Sequence, residues 1–484
     1  MRRVLAGAGA LLLALSGYLA ADAYDLVPGV LTIDRAPAGA GSPTLPTATQ
    51  RALPSPTQPV VPVPTPAASA AAPLANVSAV ARIPTKSGLT AALARALDDS
   101  GLGASVGLTV RDASTGAHLL DVSAQLPRTP ASTVKLLTAT AISSTLKPEL
   151  TFATRAVSGA DAHDVVLVAG GDTLLSPGKG NPLAVAGRAG LADLAEQTAR
   201  ALKAQGISSV RLHLDQRYAA GPRYAPGWQS ADVDLGLTGP VAMLGLSTQR
   251  PAPGRVAFAD PGSSTVQAFS KALAGRGLTV VLTKAPLTTP VVAAELGVVR
   301  SAPLSDVLAL ALRDSDNALT ESLARQAAVK AGRPTSFAAV TGWVRDTVGA
   351  KGVNLAGVTL VDTSGLSAGA LITARALGDV LALAARGHDP ALQEIVARLP
   401  VAGLSGTLAD RFLTSPAHSA AGIARAKTGT LTGASALAGT LVDRDGRLLV
   451  FAILADKVPP GVGTLTARAA LDRFVATLAS CGCG

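Results

Sequence analysis

Pro130-Ala131-Ser132-Thr133-Val134-Lys135-Leu136-Leu137-Thr138-Ala139 places a serine, a lysine three positions on and an apolar run directly behind a proline. Proline ahead of such a run marks a helix start. Positions three apart share a helix face, so the Ser132 hydroxyl and the Lys135 amine can touch. A serine at a helix N-terminus also meets backbone N–H groups and the positive end of the helix dipole. Acyl transfer needs a nucleophile, an adjacent base and a site for the oxyanion. To accept a proton, Lys135 must first shed its own, which desolvation and a second nearby cation favour. The Ser-x-x-Lys pattern is weak by itself, because Ser144 to Lys147 and Ser176 to Lys179 repeat it. Pro148 directly follows the first repeat and Pro177-Gly178 interrupts the second, so neither opens a helix.

Working outward, Leu89, Leu93 and Leu97 give one apolar face to a short helix, and Val106 to Val110 and Leu119 to Val122 read as strands around Ala113-Ser114-Thr115-Gly116. At the far end, Ala436 to Val442 and Leu448 to Leu454 form a hairpin across Asp443-Arg444-Asp445-Gly446, and a helix from about Thr464 to Leu478 closes the chain. The expected class is α/β (α+β): one antiparallel sheet built from both termini and flanked by helices, plus an all-helical region. Gly/Pro-rich turns and alternating segments from Asp172 to Ala294, such as Ser209 to Leu214, predict an inserted β-containing domain.

Two more short patterns carry chemistry. In Ser315-Asp316-Asn317 a hydroxyl and an amide two positions apart can relay a proton and hold a substrate carbonyl. The same residues also serve as turns or helix caps. Lys427-Thr428-Gly429-Thr430, just before the last hairpin, offers a cation, two hydroxyls and a glycine that permits close backbone approach, suited to a carboxylate-bearing peptide. Its near-copy Lys86-Ser87-Gly88 precedes every other motif.

The chain has 484 residues, a length for two or three domains, and a formal net charge of +10. The basic residues are dispersed and aromatics make up only 3%, which argues against nucleic acid and for attraction to an anionic surface. Cys481 and Cys483 are the two cysteines, excluding a disulfide scaffold and a Cys-rich zinc fold. The histidines His118, His163, His213, His388 and His418 lack metal-ligand spacing, so neither metal nor cofactor is expected. Arg2 and Arg3 lead an uncharged, mostly apolar run from Val4 to Ala21, the layout of an export signal that is also long enough to stay as an anchor. Residues 1–25 therefore read as signal peptide or membrane anchor, and residues 26–86, rich in Pro, Ala, Ser and Thr, as a semi-rigid stalk. Residues 87–150 and 296–484 read as a discontinuous catalytic domain around an insert at 151–295.

Further stretches join the three motifs: Leu167-Val168-Ala169-Gly170-Gly171-Asp172, Pro226-Gly227-Trp228, Asp362-Thr363-Ser364-Gly365-Leu366-Ser367, Leu399-Pro400-Val401-Ala402-Gly403 and Gly406-Thr407-Leu408. Together they resemble the penicillin-binding protein 4 type of D-alanyl-D-alanine carboxypeptidase/endopeptidase, the low-molecular-mass class C penicillin-binding proteins, from about Pro84 to the C-terminus. The resemblance implies a β-lactamase/transpeptidase-like fold with Ser132 as acylated nucleophile and Lys135 as its base. It implies that Ser315 and Asn317 shuttle the proton and orient the substrate. Lys427, Thr428, Gly429 and Thr430 would hold the terminal carboxylate, and the N–H groups of Ser132 and Thr430 would form the oxyanion hole. Peptidoglycan stem peptides are then the substrate class, β-lactams covalent inhibitors, and the bacterial cell envelope the location. Residues 136–314 make a longer gap than in class A β-lactamases and a shorter one than in relatives with two nested inserts, so one insert is expected.

Rival readings fit less well. A class A β-lactamase needs a glutamate to activate water, and Glu321 and Glu394 lack the expected loop context. Gly365-Leu366-Ser367-Ala368-Gly369 matches an α/β-hydrolase elbow, with Asp410 and His418 following, but the next helix begins only near Thr373. A non-catalytic wall-binding module would not need all of Ser132, Lys135, Ser315, Asn317 and Lys427.

Overall fold

Two sheets organise the residues described by the computed structural model: 77–78, 80–283, 289–290 and 292–484. The expected signal or anchor segment, and the stalk up to residue 76, lie outside the described residues. Among those described, no helix is long and apolar enough to cross a membrane.

The first sheet draws on both ends of the chain. Strands β1 (Ser105–Asp112) and β2 (His118–Val122) come from the start, and β8 (Arg425–Leu431), β9 (Ala434–Val442) and β10 (Leu448–Asp456) from the end. Their order is β2-β1-β10-β9-β8, with every pair antiparallel. Helices α1 (Lys86–Leu97) and α11 (Thr464–Ala479) cover one face, in a core that includes Leu89, Phe451 and Phe474. The opposite face carries α2 (Val134–Thr145) and α9 (Ala374–Ala385), with Leu137, Val380 and Val450 between them. Strands covered on both faces read as near-continuous apolar runs, and β9 and β10 are buried almost throughout.

Helix α2 follows a tight turn over Ala131–Thr133 and is buried from Val134 to Ile142. Around it pack α7 (Asn317–Lys330), α8 (Phe337–Gly349), α9 and α10 (Pro390–Ala397), and α6 (Leu304–Arg313) packs on α7. A helix that is apolar all round belongs in an interior. Its threonines are accommodated because their hydroxyls find carbonyls, Thr140 on Leu136 and Thr138 on Thr363.

The second sheet lies between the two halves of this helical region in sequence. Its order is β6-β5-β4-β3-β7, from β3 (Ala153–Ser158), β4 (Asp164–Val168), β5 (Ser209–Asp215), β6 (Thr279–Leu282) and β7 (Glu295–Arg300). β4, β5 and β6 run parallel, so the chain must cross over between them, through α3 (Leu191–Ala204) and α5 (Pro261–Ala274). The connection from β5 to α5, residues 216–260, contains only the short α4 (Ser230–Asp234) and a tight turn at Ser247–Gln249. Antiparallel pairing of β3 with β7 brings the first and last strands of this segment together.

Candidate active site

The nucleophile candidate sits at a sharp corner. Ala131, a non-glycine residue, has φ +46°, and Ser132 follows it half-exposed in the turn that opens α2. Two glycines make room for that corner. A Cβ on Gly365 would come within 2.0 Å of the Ala131 carbonyl oxygen, and one on Gly429 within 2.5 Å of the Pro130 carbonyl oxygen. Only residues without a side chain let the 362–367 loop and β8 close on the corner this tightly.

Lys135, one turn into α2, is fully buried. Its Nζ donates to Asn317 Oδ1 at 2.5 Å and to the Ser364 carbonyl at 2.7 Å, and lies 3.0 Å from Ser132 Oγ. Burial pushes the Lys135 ammonium down to about 8, against the opposing pull of Asp362, Glu321 and Asp316.

Ser315 and Asn317 flank the junction of α6 and α7. Asp316 between them is the helix cap, its Oδ1 accepting from the Leu319 N–H at 2.9 Å. In this motif the middle residue caps a helix, and the outer two face the cleft. Ser315 is held at φ +54°, a left-handed conformation that a serine rarely adopts. Asn317 Nδ2 donates to the Leu237 carbonyl at 2.8 Å.

Lys427 comes from β8, the edge strand. It is fully buried and donates to Ser315 Oγ and to its neighbour's carbonyl on Thr428, each at 2.9 Å. Burial first, and the positive charge of Lys135 second, push its ammonium well below the ordinary lysine range. Thr428 Oγ1 donates to Thr407 Oγ1 at 2.9 Å. A cleft of about 500 Å³ is lined by Ser132, Ser315, Asn317, Thr428 and Thr430, together with Leu237, Arg250, Thr407 and Arg468.

So Ser132, Lys135, Ser315, Asn317, Lys427, Thr428, Gly429 and Thr430 converge, while the motif copies do not join them. Lys86-Ser87-Gly88 forms the first turn of α1, Ser144 to Lys147 ends α2, and Ser176 to Lys179 lies in a turn. Ser367 is buried in a loop and its N–H donates to Asp362, while the His418 ring faces the Phe412 carbonyl, so no elbow is assembled. Cys481 and Cys483 are paired with each other.

Several residues at the site were not assigned roles from sequence. Ser364 lends its carbonyl to Lys135, and Thr407 supports Thr428. Glu321 is buried behind Lys135, where its Oε1 accepts from the N–H groups of Thr363 and Ser364 and its Oε2 from the Thr363 hydroxyl. Burial and the adjacent Asp362 push the Glu321 carboxyl up to about 7. With both oxygens engaged on the loop, Glu321 is not presented to an acyl group at Ser132. Glu394 is an exposed partner of Arg398.

The sequence model of the D-Ala-D-Ala carboxypeptidase 3 (S13) family matches residues 89–251 and 247–478. The chain belongs to this family. It is a serine hydrolase by that membership, and two relatives align with it along most of their length. Carboxypeptidase DacB of Mycolicibacterium smegmatis is 39% identical over 87% of this S13 chain and 90% of its own. A carboxypeptidase of Mycobacterium tuberculosis is 35% identical over 84% of this chain and 87% of its own. In three dimensions the chain is similar to penicillin-binding protein 4 of Haemophilus influenzae, with a TM-score of 0.63 over 82% of this chain and 98% of that one, at 22% identity. That likeness places the S13 chain in the β-lactamase/transpeptidase-like fold.

Proposed function

We propose that this S13 member cleaves the D-Ala-D-Ala end of peptidoglycan stem peptides, and their crosslinks, through an acyl-enzyme on Ser132. One observation carries the reading. Of the three N–H positions of Lys135, two meet the fixed acceptors Asn317 Oδ1 and Ser364 O, and the third direction faces Ser132 Oγ. When Lys135 is neutral it keeps those two bonds and turns its lone pair on the serine hydroxyl.

Ser132 Oγ then attacks the carbonyl of the penultimate D-Ala while its proton passes to Lys135. The C–N bond breaks, and the departing amine takes a proton from Ser315 Oγ, which Lys427 resupplies across 2.9 Å. Water then attacks the ester carbonyl, its proton passing through Ser315 Oγ back to Lys427, while Lys135 returns its proton to the departing Ser132 Oγ and so restores both lysines and the serine. The oxyanion is met by the N–H groups of Ser132 and Thr430. Support for Thr430 comes from strand alternation: the Ala426 N–H points off the sheet edge to Pro400, so Thr428 and Thr430, two and four positions on, aim theirs the same way. Asn317 keeps a second amide hydrogen for the substrate carbonyl, and Thr428 and Thr430, with Lys427 and Gly429 on the same strand, receive the terminal carboxylate. β-Lactams acylate the same serine; a structure of the Haemophilus influenzae relative is described in complex with one.

The reading extends to organisation: a catalytic part at 87–150 and 296–484, an insert at 151–295, and export to the cell envelope by residues 1–25, as cleaved signal or retained anchor. The test is release of D-alanine from a pentapeptide ending in D-Ala-D-Ala. Wild-type protein should release it and Ser132→Ala should not; equal release by both would refute the assignment.

A further inference from the structure

The second-sheet segment does not merely adjoin the cleft. Its connection from β5 to α5, residues 216–260, is far longer than two packed elements require, and connections of that length usually serve a site. Three of its residues reach the site: Leu237 meets a group that the proposed chemistry uses, and Trp228 and Arg250 meet residues beside such groups. Trp228 Nε1 donates to Asp362 Oδ2 at 2.8 Å, fixing the loop whose Ser364 carbonyl holds Lys135. The Leu237 carbonyl accepts from Asn317 Nδ2 at 2.8 Å. Arg250 grips the corner between α6 and α7: its Nε and Nη2 donate to Asp316 Oδ2 at 3.0 and 2.8 Å, and its Nη1 and Nη2 lie 3.4 and 3.3 Å from Asp314 Oδ2.

We infer that Arg250 is a positioning residue for acylation, acting through Asp316 to hold Ser315 and Asn317 in register with Lys427 and Lys135. The corner needs holding. Ser315 sits in the left-handed region, a conformation that persists only where the surroundings over-determine it. Asp316 carries two loads at once, capping α7 with Oδ1 and receiving Arg250 on Oδ2. Its side chain is 4% exposed and that of Arg250 17%, so the pair is shielded from screening by salt. Arginine suits the place because its planar fork spans the two aspartates, which a lysine's single ammonium cannot do with the same geometry. Arg250 touches none of the reacting atoms. It sets where Ser315 Oγ and Asn317 Oδ1 stand, and an error of about 1 Å in such groups costs up to about a hundredfold in rate.

The inference rests on the chemistry proposed above for Ser132, and the test keeps the two apart. Acylation by a chromogenic β-lactam is followed by stopped flow over a range of concentrations, which separates the dissociation constant of the encounter complex from the first-order acylation constant. Arg250→Ala should lower the acylation constant at least about tenfold, with the dissociation constant changed far less. Asp316→Asn, which keeps an oxygen for the Leu319 N–H, should do the same, and the double variant should be little worse than Arg250→Ala alone. Arg250→Lys should fall between, and gives the same reading if Arg250→Ala is too unstable to purify. Arg276→Ala, which removes an ion pair with Glu196 elsewhere in the same segment, is the control and should acylate as wild type. An unchanged acylation constant in Arg250→Ala, losses that simply add in the double variant, or a loss that only tracks the unfolded fraction would overturn the inference. Those results leave wild-type acylation intact, whereas a wild-type protein that never acylates refutes the Ser132 chemistry itself.

Discussion

Lys427 Nζ lies 2.9 Å from Ser315 Oγ, joining an edge strand near the end of the chain to a strained serine between two helices. In the proposed chemistry the pair carries the proton that the departing amine takes. Ser315→Ala should therefore reduce acylation about 10²- to 10⁴-fold, the usual worth of a positioned proton donor. Binding of the β-lactam should change less. Pre-steady-state kinetics with a slow β-lactam reads both, and an acylation constant within a few-fold of wild type would remove Ser315 from the proton path.

In the proposed chemistry Lys135 works only when neutral, and burial brings it down to about 8. The sign follows directly. Below that value the ammonium form dominates and cannot accept the Ser132 proton, so each unit of falling pH should remove about tenfold of the acylation rate. The rate should climb through the neutral range toward about pH 8 and fall again at higher pH, as Lys427, whose ammonium is pushed well below the ordinary lysine range, loses the proton it passes to Ser315. A profile flat from about pH 6 upward would mean that Lys135 is not the base.

A Cβ on Gly429 would come within 2.5 Å of the Pro130 carbonyl oxygen and 3.3 Å of the Ala131 methyl. A methyl added there meets backbone that cannot swing aside, so Gly429→Ala should push β8 away from Ser132. The expected result is a loss of acylation of at least about tenfold together with about 1–3 kcal/mol of stability, the usual cost of overpacking. Chemical denaturation and β-lactam labelling measure the two effects. Normal labelling of a normally stable variant would show that this contact is not needed.

Glu321 accepts from two backbone N–H groups and a hydroxyl in the 363–364 loop, all buried. Glu321→Ala leaves the Thr363 N–H and hydroxyl without that acceptor, and the Ser364 N–H with only Asp362 Oδ1 at 3.2 Å, and should cost about 2–5 kcal/mol. Glu394→Ala, which removes an exposed partner of Arg398, should cost under about 1 kcal/mol. Urea titrations compare them, and equal losses would contradict the supporting role of Glu321.

The groups that the proposed chemistry uses were legible because their signals are local. Ser132 and Lys135 need only a helix between them, and Lys427 to Thr430 only an edge strand. The terminal strands and helices were legible for the same reason, since β1, β2, β9 and β10 are bounded by clear turns. What supports the site was not. Leu237 contributes a backbone carbonyl, which any residue has, and Arg250 is one of many dispersed basic residues. Glu321 offers no local clue that its partners lie at Thr363 and Ser364. The strands β3 and β4 lie upstream of Asp172, where the Gly/Pro-rich turns begin, and Asp164 to Val168 is too short an apolar run to separate strand from buried helix.

The central claim is that Ser132 is the nucleophile, and mass spectrometry after penicillin exposure tests it most directly. Digestion with trypsin isolates Thr129 to Lys135 as one peptide. The account predicts that this peptide carries the intact penicilloyl adduct, and that Ser132→Ala carries none. An adduct on the peptide containing Ser367, or a wild-type protein left unlabelled, would contradict it.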